Sequence, residues 1–281
     1  MLLDLQDVGS RYYTYIYTMA HVMKACGEQG IPMLVLDRPN PIAGKQVEGN
    51  YTNPEAVTSF IGALPIPNRH GLTIGELALL FAHEYGLTCD IEVVAMDGWE
   101  RHMYFDETNR IWVPPSPNTT GVNMCLLYPG TCLIEGLNVS EGRGTAFPFE
   151  MIGAPFLDGH RLAEAFNSHE LPGVIARPAS YTPTRQKHAG IRCSGVQLHV
   201  TDRYTFESLR AGLVLLEKIV ELAPNDVQFL TNVNGRHFLD HLSRTSRVRH
   251  HVLNSTVDAF WQECLAEAEA FQKMSARYYL Y

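Results

Sequence analysis

The sequence predicts an α/β fold with a mostly parallel sheet, and two features of the chain predict it. In the first half, short apolar runs that suit buried strands alternate with segments of helical periodicity, a pattern typical of parallel sheets covered by helices. Beyond about residue 155, glycine and proline become rarer and longer helices follow. This change places an expected domain boundary between residues 1–155 and residues 156–281.

The elements of the first half follow from local signals. Gly30 is a stop signal for the first helix. Thr73 and Glu76 fit a capping box, in which each side chain bonds a backbone N–H of the other residue. Pro39 and Pro41 exclude regular structure after the second strand. In chain order we expect a strand end over 1–5, a helix over 11–28, a strand over 31–36, a helix over 72–85 and a strand over 91–96.

Turn residues separate the later elements. The first strand has almost no length before its loop, so we also expect the sheet to need strands that this sequence lacks. The remaining expectations are a hairpin over 102–113, a turn at 128–130, a short strand over 131–134, a polar loop over 135–149, a strand over 190–200, a helix over 206–222 and a last helix with apolar residues at helical spacing over 257–271.

Composition and charge exclude several classes of partner. The 281 residues carry 22 Lys and Arg against 30 Asp and Glu, a formal net charge of -8, whereas a phosphate backbone needs a basic face. The one dense basic run, 244–251, is interpreted as a solvated helix surface. No apolar stretch approaches the roughly 20 residues of a membrane helix, and no secretory signal is visible. We expect neither a nucleic-acid partner nor a membrane span.

Familiar cofactor motifs fail at named positions. Gly44-Lys45 is followed by Gln46, which breaks a phosphate-binding loop. Phe147 stands where a dinucleotide fingerprint begun at Gly142 needs its third glycine. The histidines and the six scattered cysteines show no metal-ligand spacing. Neither a cofactor nor a metal is predicted.

Polar side chains are gathered in loops beside the predicted strand ends and helix starts. Those ends meet at one edge of a parallel sheet, and carboxylates, amides and arginines gathered there resemble a sugar cleft, where two carboxylates flank a glycosidic bond. A structural role stays open for each as well: Asp7 at the Gly9 turn, an Asp37–Arg38 ion pair, Glu76 in the capping box, a Glu141–Arg143 pair, His70 at a helix entry, and Trp99 and Trp112 in the core.

A series of short motifs makes a more specific signal than any one of them alone. Together they closely resemble the bacterial exo-β-N-acetylmuramidases of the NamZ type, over the whole chain. The motifs are Asp-Leu-Gln-Asp-Val-Gly at 4–9, Arg-Tyr-Tyr-Thr-Tyr at 11–15, Leu-Asp-Arg-Pro-Asn-Pro at 36–41, Arg-His-Gly-Leu-Thr-Ile-Gly-Glu-Leu at 69–77, Pro-Ser-Pro-Asn at 115–118, Tyr-Pro-Gly at 128–130, Ser-Glu-Gly-Arg-Gly-Thr at 140–145 and the closing Arg-Tyr-Tyr-Leu-Tyr at 277–281.

The resemblance implies a Rossmann-like catalytic domain and a smaller C-terminal domain, with the active site in the cleft between them. It implies release of terminal N-acetylmuramic acid from the non-reducing end of peptidoglycan fragments, without metal or nucleotide. Full-length members carry an upstream segment with a Pro-Glu-His-Gly motif, which this sequence does not contain, so we expect the Rossmann-like sheet to be incomplete at its N-terminal side. Family members are usually secreted or periplasmic; neither the location nor the oligomeric state of this chain is predicted.

Three hypotheses follow. The first is a glycosidase acting on a peptidoglycan-derived sugar of the MurNAc-GlcNAc type, in which Arg143 or Arg38 pairs with the lactyl carboxylate. The second is a muropeptide-binding remnant without turnover, and the third a serine hydrolase using Ser140, which sits in a near miss of the nucleophile elbow. The resemblance and the loops together nominate Glu141, Glu135 and Glu76 as catalytic residues and Asp7, Asp37, Arg38, Asn40, His70, Asn118 and Arg143 as substrate-binding residues.

Overall fold

The structure, a computed structural model, describes residues 1–51 and 62–281. The chain forms two compact units, one of residues 1–115 with 265–281 and the other of residues 116–264. The boundary expected after residue 155 therefore falls inside the second unit, because the strand Met151–Ala154 pairs with a later strand of that unit.

A parallel three-stranded sheet, in the order β1-β2-β3, forms the base of the first unit. In the register of the central strand, Val35 lies opposite Leu3 on one side and Val93 on the other. The parallel α/β arrangement expected from the sequence is confirmed here. The elements are β1 (Leu2–Leu3), α1 (Tyr15–Gln29), β2 (Met33–Leu36), α2 (Ile74–Glu84) and β3 (Ile91–Val94), and their shared core includes Met19, Met23, Leu77, Phe81 and Phe271.

The helix ends of this unit follow the predicted signals. Gly30 ends α1 with a left-handed φ of 62° and donates its N–H to the carbonyls of Cys26 and Gly27. Thr73 and Glu76 form the reciprocal capping box of α2. Each signal bonds backbone groups only a few residues away, so both can be recognised in a single sequence.

Tertiary contacts shift the start of α1. The helix begins at Tyr15 and not at Arg11, because the Arg11 N–H bonds the carbonyl of Asn68 at 3.0 Å. The buried Arg11 guanidinium also donates to the carbonyls of Asn50 and Ile66. Those bonds draw the residue out of helical conformation.

The hairpin expected over 102–113 is wrong. Phe105–Glu107 forms a turn of 3-10 helix instead, and residues 108–113 form no strand. The Glu107 carboxylate accepts the N–H of Tyr104 at 2.8 Å, which closes the chain into a turn before a strand can pair.

An antiparallel sheet in the order β4-β6-β5 forms the second unit. Its strands β5 and β6 follow each other directly in the chain and pair antiparallel from Val174↔Val200 to Tyr181↔Cys193. The mostly parallel sheet is therefore a property of the first unit. The elements are α3 (Val122–Thr131), β4 (Met151–Ala154), α4 (Gly159–Asn167), β5 (Val174–Tyr181), β6 (Cys193–Val200), α5 (Ser208–Leu222), α6 (Phe238–Ser243) and α7 (Arg247–Leu253). The last helix, α8 (Val257–Ser275), begins in the second unit and continues into the part of the chain that belongs to the first.

The turn expected at 128–130 and the strand expected over 131–134 are both wrong. Helix α3 continues through Pro129 to Thr131, and 3-10 helix Cys132–Gly136 follows. The cause is a close crossing of α3 and α5: a Cβ added to Gly130 would lie 2.0 Å from the Ser208 carbonyl oxygen. Packing against α5 thus keeps these residues helical despite the proline.

This crossing predicts a stability effect. A Cβ on Gly212 would lie 2.4 Å from the backbone of Gly130, so Gly212→Ala should lower the free energy of unfolding by about 1–3 kcal/mol through overpacking. Gly121→Ala is the control, because nothing lies within 4 Å of its added Cβ. Equal denaturation midpoints for the two variants would contradict the role given to the crossing.

The basic run 244–251 is not a solvated surface throughout. Arg244 is 2% exposed, and Arg249 forms an ion pair with Asp240 at 2.8 Å. The Arg249–Asp240 ion pair joins α7 to α6. Within the described part of the chain, no helix has the length and apolar character needed to cross a bilayer.

Candidate active site

A cavity of about 460 Å³ in the second unit gathers several of the nominated residues. Glu135 lies in the 3-10 helix after α3, and Glu141 and Arg143 lie in the loop that leads to β4. The lining residues are Glu135, Glu141, Arg143, Gln186, Lys187, Leu230, Thr231, Asn232 and Phe238.

Backbone pairing with β4 places Glu141. Ser140 exchanges two hydrogen bonds with Gly153, of 2.8 and 3.0 Å, and the Glu141 carbonyl accepts the N–H of Phe149 at 2.6 Å. Gly142 then turns the chain with φ 78°, where a Cβ would lie 2.6 Å from the Met151 carbonyl oxygen. A glycine is needed at this position, and the turn that it makes places the Glu141 and Arg143 side chains close to each other.

One guanidinium joins the two carboxylates. Arg143 Nη2 donates to Glu135 Oε1 at 2.6 Å, and its Nε lies 3.2 Å from Glu141 Oε1. The side chain of Glu135 is 19% exposed and that of Glu141 4%. The Arg143 side chain also packs over the ring of Phe149, 4.8 Å from its centre. Glu135 is thus the carboxylate that solvent reaches more readily.

Lys187 completes the cluster, and sequence reasoning missed it. Its Nζ lies 3.1 Å from Glu141 Oε2 and donates to the carbonyls of Ile134, Glu135 and Val139 at 3.3, 3.1 and 3.1 Å. The residue comes from the segment between β5 and β6, far along the chain from Glu141. No local motif marks it, so only the fold reveals it.

The electrostatics separate the two carboxylates. Burial raises the pKa of Glu135 above its ordinary value, against the opposing attraction of Arg143. Glu141 lies between two cations, Arg143 and Lys187, at 3.2 and 3.1 Å. Two carboxyl groups in unlike surroundings are the arrangement that acid catalysis at a glycosidic bond uses.

A second group of nominated residues lies in the first unit, at the carboxyl end of β2. Asp37 accepts the Gly75 N–H at 2.8 Å through Oδ1, and its Oδ2 accepts the hydroxyls of Thr73 at 2.7 Å and Tyr281 at 2.9 Å. Asp37 therefore binds the N-terminus of α2, and from Arg38 it accepts only the backbone N–H, at 2.9 Å. The ion pair expected between Asp37 and Arg38 is absent from the described contacts.

Glu76 is fully buried at the same helix end. Its Oε2 accepts the Thr73 N–H at 3.0 Å, while its Oε1 accepts the Leu280 N–H at 2.9 Å and a guanidinium N–H of Arg101. Burial raises the pKa of Glu76, against the attraction of Arg101. Both of its oxygens are engaged in structural bonds.

Asp7 and His70 form a buried pair. His70 Nδ1 accepts the Leu72 N–H at 3.2 Å, so Nε2 carries the proton of the neutral ring and donates it to Asp7 Oδ2 at 3.1 Å. The same oxygen accepts the Gly9 N–H at 2.7 Å, as the structural alternative expected. Asn40, also buried, donates to the Leu72 carbonyl at 3.0 Å.

The last nominated residues lie nearer the surface. Arg38 makes two bonds to Asp4, of 2.5 and 2.9 Å, and lines a first-unit cavity of about 610 Å³ together with Asp37 and Trp99. Trp99 is 6% exposed, as the core alternative expected. Asn118, in the second unit, accepts a bond of 3.2 Å from Arg185.

Ser140 lacks the surroundings of a nucleophile. Its hydroxyl is buried and accepts the Gly142 N–H at 3.2 Å. Across residues 1–51 and 62–281, no histidine bonds this hydroxyl, and no cluster of His, Cys, Asp and Glu could hold a metal ion.

Comparison with known proteins identifies the family. Residues 1–123 match the N-terminal domain of exo-β-N-acetylmuramidase NamZ, and residues 126–281 match its C-terminal domain. The chain belongs to the NamZ family. It is 47% identical over 282 residues to peptidoglycan β-N-acetylmuramidase NamZ of Bacillus subtilis, covering 100% of this chain and 67% of that relative. The family expected from the motifs is confirmed.

Solved structures agree with the NamZ assignment. Two DUF1343 family proteins of Bacteroides fragilis match with TM-scores of 0.92 and 0.80, at 32% and 30% identity. Each match covers 100% of this chain and 74% of the other chain. The expected α/β fold class is confirmed by these neighbours and by the two units of this structure.

Within this NamZ-family chain, the nominated residues fall into separate groups. Glu135, Glu141 and Arg143 meet at one cavity of the second unit, whereas Asp37 and Glu76 meet at the start of α2 in the first. The cavity group combines a partly buried carboxyl, Glu135, a buried carboxyl, Glu141, and the cation Arg143.

Proposed function

We propose that this protein is a glycosidase that releases terminal N-acetylmuramic acid from the non-reducing end of peptidoglycan fragments. The observation that carries the proposal is the joint lining of one cavity by Glu135, Glu141, Arg143 and Lys187. The family relationship supports the reaction class, because a 47% identical relative is a peptidoglycan β-N-acetylmuramidase.

In the proposed mechanism Glu135 is the general acid. It is the more exposed carboxyl of the pair, and its raised pKa keeps a proton available for the leaving-group oxygen. Glu141, which lies between Arg143 and Lys187, stabilises the positive charge that develops on the sugar ring, and water adds to the anomeric carbon as the glycosidic bond breaks.

The charge balance of the cluster suits an acidic sugar. When Glu135 carries its proton, Arg143 and Lys187 outnumber the one carboxylate, Glu141, by one positive charge. Arg143 Nη1 bonds no residue in the described ranges, so it is open to the lactyl carboxylate of muramic acid. A guanidinium suits a carboxylate through its fork of N–H groups.

The other nominated residues take supporting roles in this proposal. Arg38 and Asp37 line the first-unit cavity, and Asn118 accepts a bond from Arg185 in the second unit; substrate binding by these three stays a prediction from the sequence. The hydrogen bonds described above indicate a structural role in the loops of the first unit for the buried residues Asp7, Asn40, His70 and Glu76. Glu76 is accordingly the weakest of the three carboxylates for proton transfer.

The pH dependence of the reaction follows from Glu135. A general acid must be protonated, so kcat/KM falls as pH rises through its pKa. Because burial raises that pKa, we expect the alkaline limb to lie above the ordinary glutamate value of about 4.3. A pH profile of kcat/KM measures it, and Glu135→Gln should remove the limb. A limb unchanged in Glu135→Gln would assign it to another group.

Product analysis tests the proposed function. Peptidoglycan fragments with N-acetylmuramic acid at the non-reducing end are incubated with the purified chain and followed by mass spectrometry. Free N-acetylmuramic acid and a product shortened by that sugar are expected. Fragments that bind the folded protein but stay intact would favour the muropeptide-binding alternative, and loss of an acyl group would favour a hydrolase of another class.

A further inference from the structure

A segment in the second unit lies over the carboxylate loop, and we call it the strap: residues 182–192, between β5 and β6. Two side chains and one backbone group fasten it. Thr184 bonds the Gly144 carbonyl through both its N–H and its hydroxyl, at 2.9 Å each. His188 Nε2 lies 2.7 Å from the carbonyl oxygen of Asn138. The strap is thereby held on both sides of Lys187.

The backbone of the strap is strained around Lys187. Gln186 has φ 68° and His188 has φ 58°, so a non-glycine residue occupies the left-handed region on each side of this lysine. Side chains disfavour that region, and such conformations persist where the surrounding structure enforces them. The strained turn directs the Lys187 side chain toward the carboxylate of Glu141.

Lys187 has no donor left for a ligand. An ammonium group has three N–H donors, and the carbonyls of Ile134, Glu135 and Val139 receive them. Its contact with Glu141 Oε2, at 3.1 Å, is therefore one of charge, and that buried oxygen accepts no hydrogen bond within the described ranges. Lys187 can therefore act on the reaction by orienting Glu141, but it has no N–H left with which to bind the substrate.

We propose that Lys187 is a positioning residue: the strap places its ammonium group 3.1 Å from Glu141 Oε2 and so orients this side chain at the sugar-binding cavity. The inference rests on the function proposed above. With Lys187 present, Glu141 faces two cations; without it, Glu141 faces only Arg143, which also bonds Glu135.

Three other titratable side chains near Glu141, those of Tyr128, Cys132 and Tyr181, are neutral at ordinary pH. Tyr128 and Cys132, from α3 and the turn after it, have pKa values raised by burial. Burial also raises the pKa of Tyr181, on β5, and its hydroxyl donates to the Ser140 carbonyl at 3.3 Å. His188, on the strap, faces the Asn138 carbonyl. The charge at Glu141 is therefore set by Arg143, Lys187 and Glu135.

Lys187→Gln tests the charge, because glutamine is polar and carries no charge, although it is shorter and has two N–H donors where the ammonium group has three. Lys187→Arg restores the charge and serves as the rescue variant. Lys218→Gln is the matched control: Lys218 also pairs with a buried carboxylate, Glu217, at 3.2 Å, but lies outside the cavity lining.

Two readouts are used. Carbon NMR follows the titration of the Glu141 and Glu135 side-chain carboxyls, and both should move to higher pH by about one pH unit or more in Lys187→Gln. On the acid side of the optimum, kcat/KM should fall about tenfold for each pH unit by which the Glu141 titration moves. Lys187→Arg should restore most of the parent carboxyl titrations and of the parent kcat/KM. Lys218→Gln should change neither the titrations nor kcat/KM.

The outcomes separate the two proposals. Unmoved carboxyl titrations in folded Lys187→Gln would overturn the role of Lys187, whatever the activity. If the parent chain has no turnover, the proposed function fails, while the titrations still decide what Lys187 does to Glu141. If Lys187→Gln does not fold, Lys187→Arg decides. If Lys187→Arg melts like the parent chain but its carboxyl titrations move by about one pH unit or more, the shift expected for loss of the charge, the proposal is overturned.

Discussion

Replacing Glu135 with glutamine is expected to lower kcat/KM on a natural MurNAc-GlcNAc disaccharide by about 10²–10⁴-fold, the range for loss of a general acid. Glutamine keeps the size of the side chain and a partner for Arg143, which bonds Glu135 at 2.6 Å, but it cannot deliver a proton. The fold should therefore survive while the chemical step slows.

The choice of leaving group makes this prediction specific. A nitrophenyl aglycone leaves as a stable anion and needs little protonation, so the loss on a nitrophenyl N-acetylmuramide should be much smaller than on the disaccharide. Steady-state kinetics on the two substrates measure the difference. Equal losses on both would show that Glu135 binds or supports the site and does not donate the proton.

A matched control exists in the same unit. Burial also raises the pKa of Glu150, yet this residue does not line the cavity. Glu150→Gln should keep kcat/KM on both substrates within about twofold. A loss in Glu150→Gln as large as in Glu135→Gln would point to a general effect of losing a buried carboxyl.

Arg69→Met is expected to give the largest loss of stability, about 3–5 kcal/mol, because it removes the cation of a buried ion pair. Arg69 is 0% exposed and its partner Glu48 7%, with Nη1 2.8 Å from Oε1. Its Nη2 also donates to the Ile42 carbonyl at 2.6 Å. Methionine fills part of the volume but leaves the Glu48 carboxylate without this cation.

Tryptophan fluorescence can report on the first unit alone. Trp99 and Trp112 lie in the first unit and Trp261 in the second, so urea unfolding is followed in a Trp261→Phe background. Arg38→Met is the control, since the Arg38–Asp4 side chains are 44% and 40% exposed and such pairs contribute at most about 1 kcal/mol. Equal losses in the two variants would contradict the burial argument.

Local signals in the sequence predicted local structure well. Gly30 ended a helix, and Thr73 with Glu76 began one, because each signal satisfies backbone groups within a few residues. Where distant contacts decide, prediction failed. Pro129 and Gly130 read as a turn, but the glycine contact with α5 keeps them in a helix.

The candidate site shows the same division. Glu135, Glu141 and Arg143 lie within nine residues of sequence, and their loop could be nominated from composition. Lys187 could not, because the antiparallel pairing of β5 with β6 brings it to Glu141. Asp37 was nominated as a carboxylate in a loop and Glu76 as a carboxylate at a helix start, yet their partners Tyr281 and Leu280 come from the far end of the chain.

Hydrolysis of a nitrophenyl β-N-acetylmuramide by the purified 281-residue chain, beside the matching β-N-acetylglucosaminide, tests the central claim most directly. We predict turnover of the muramide and little of the glucosaminide, which lacks the lactyl carboxylate that the positive cluster is proposed to bind. A folded chain that cleaves neither substrate, or that cleaves both equally well, would contradict the account.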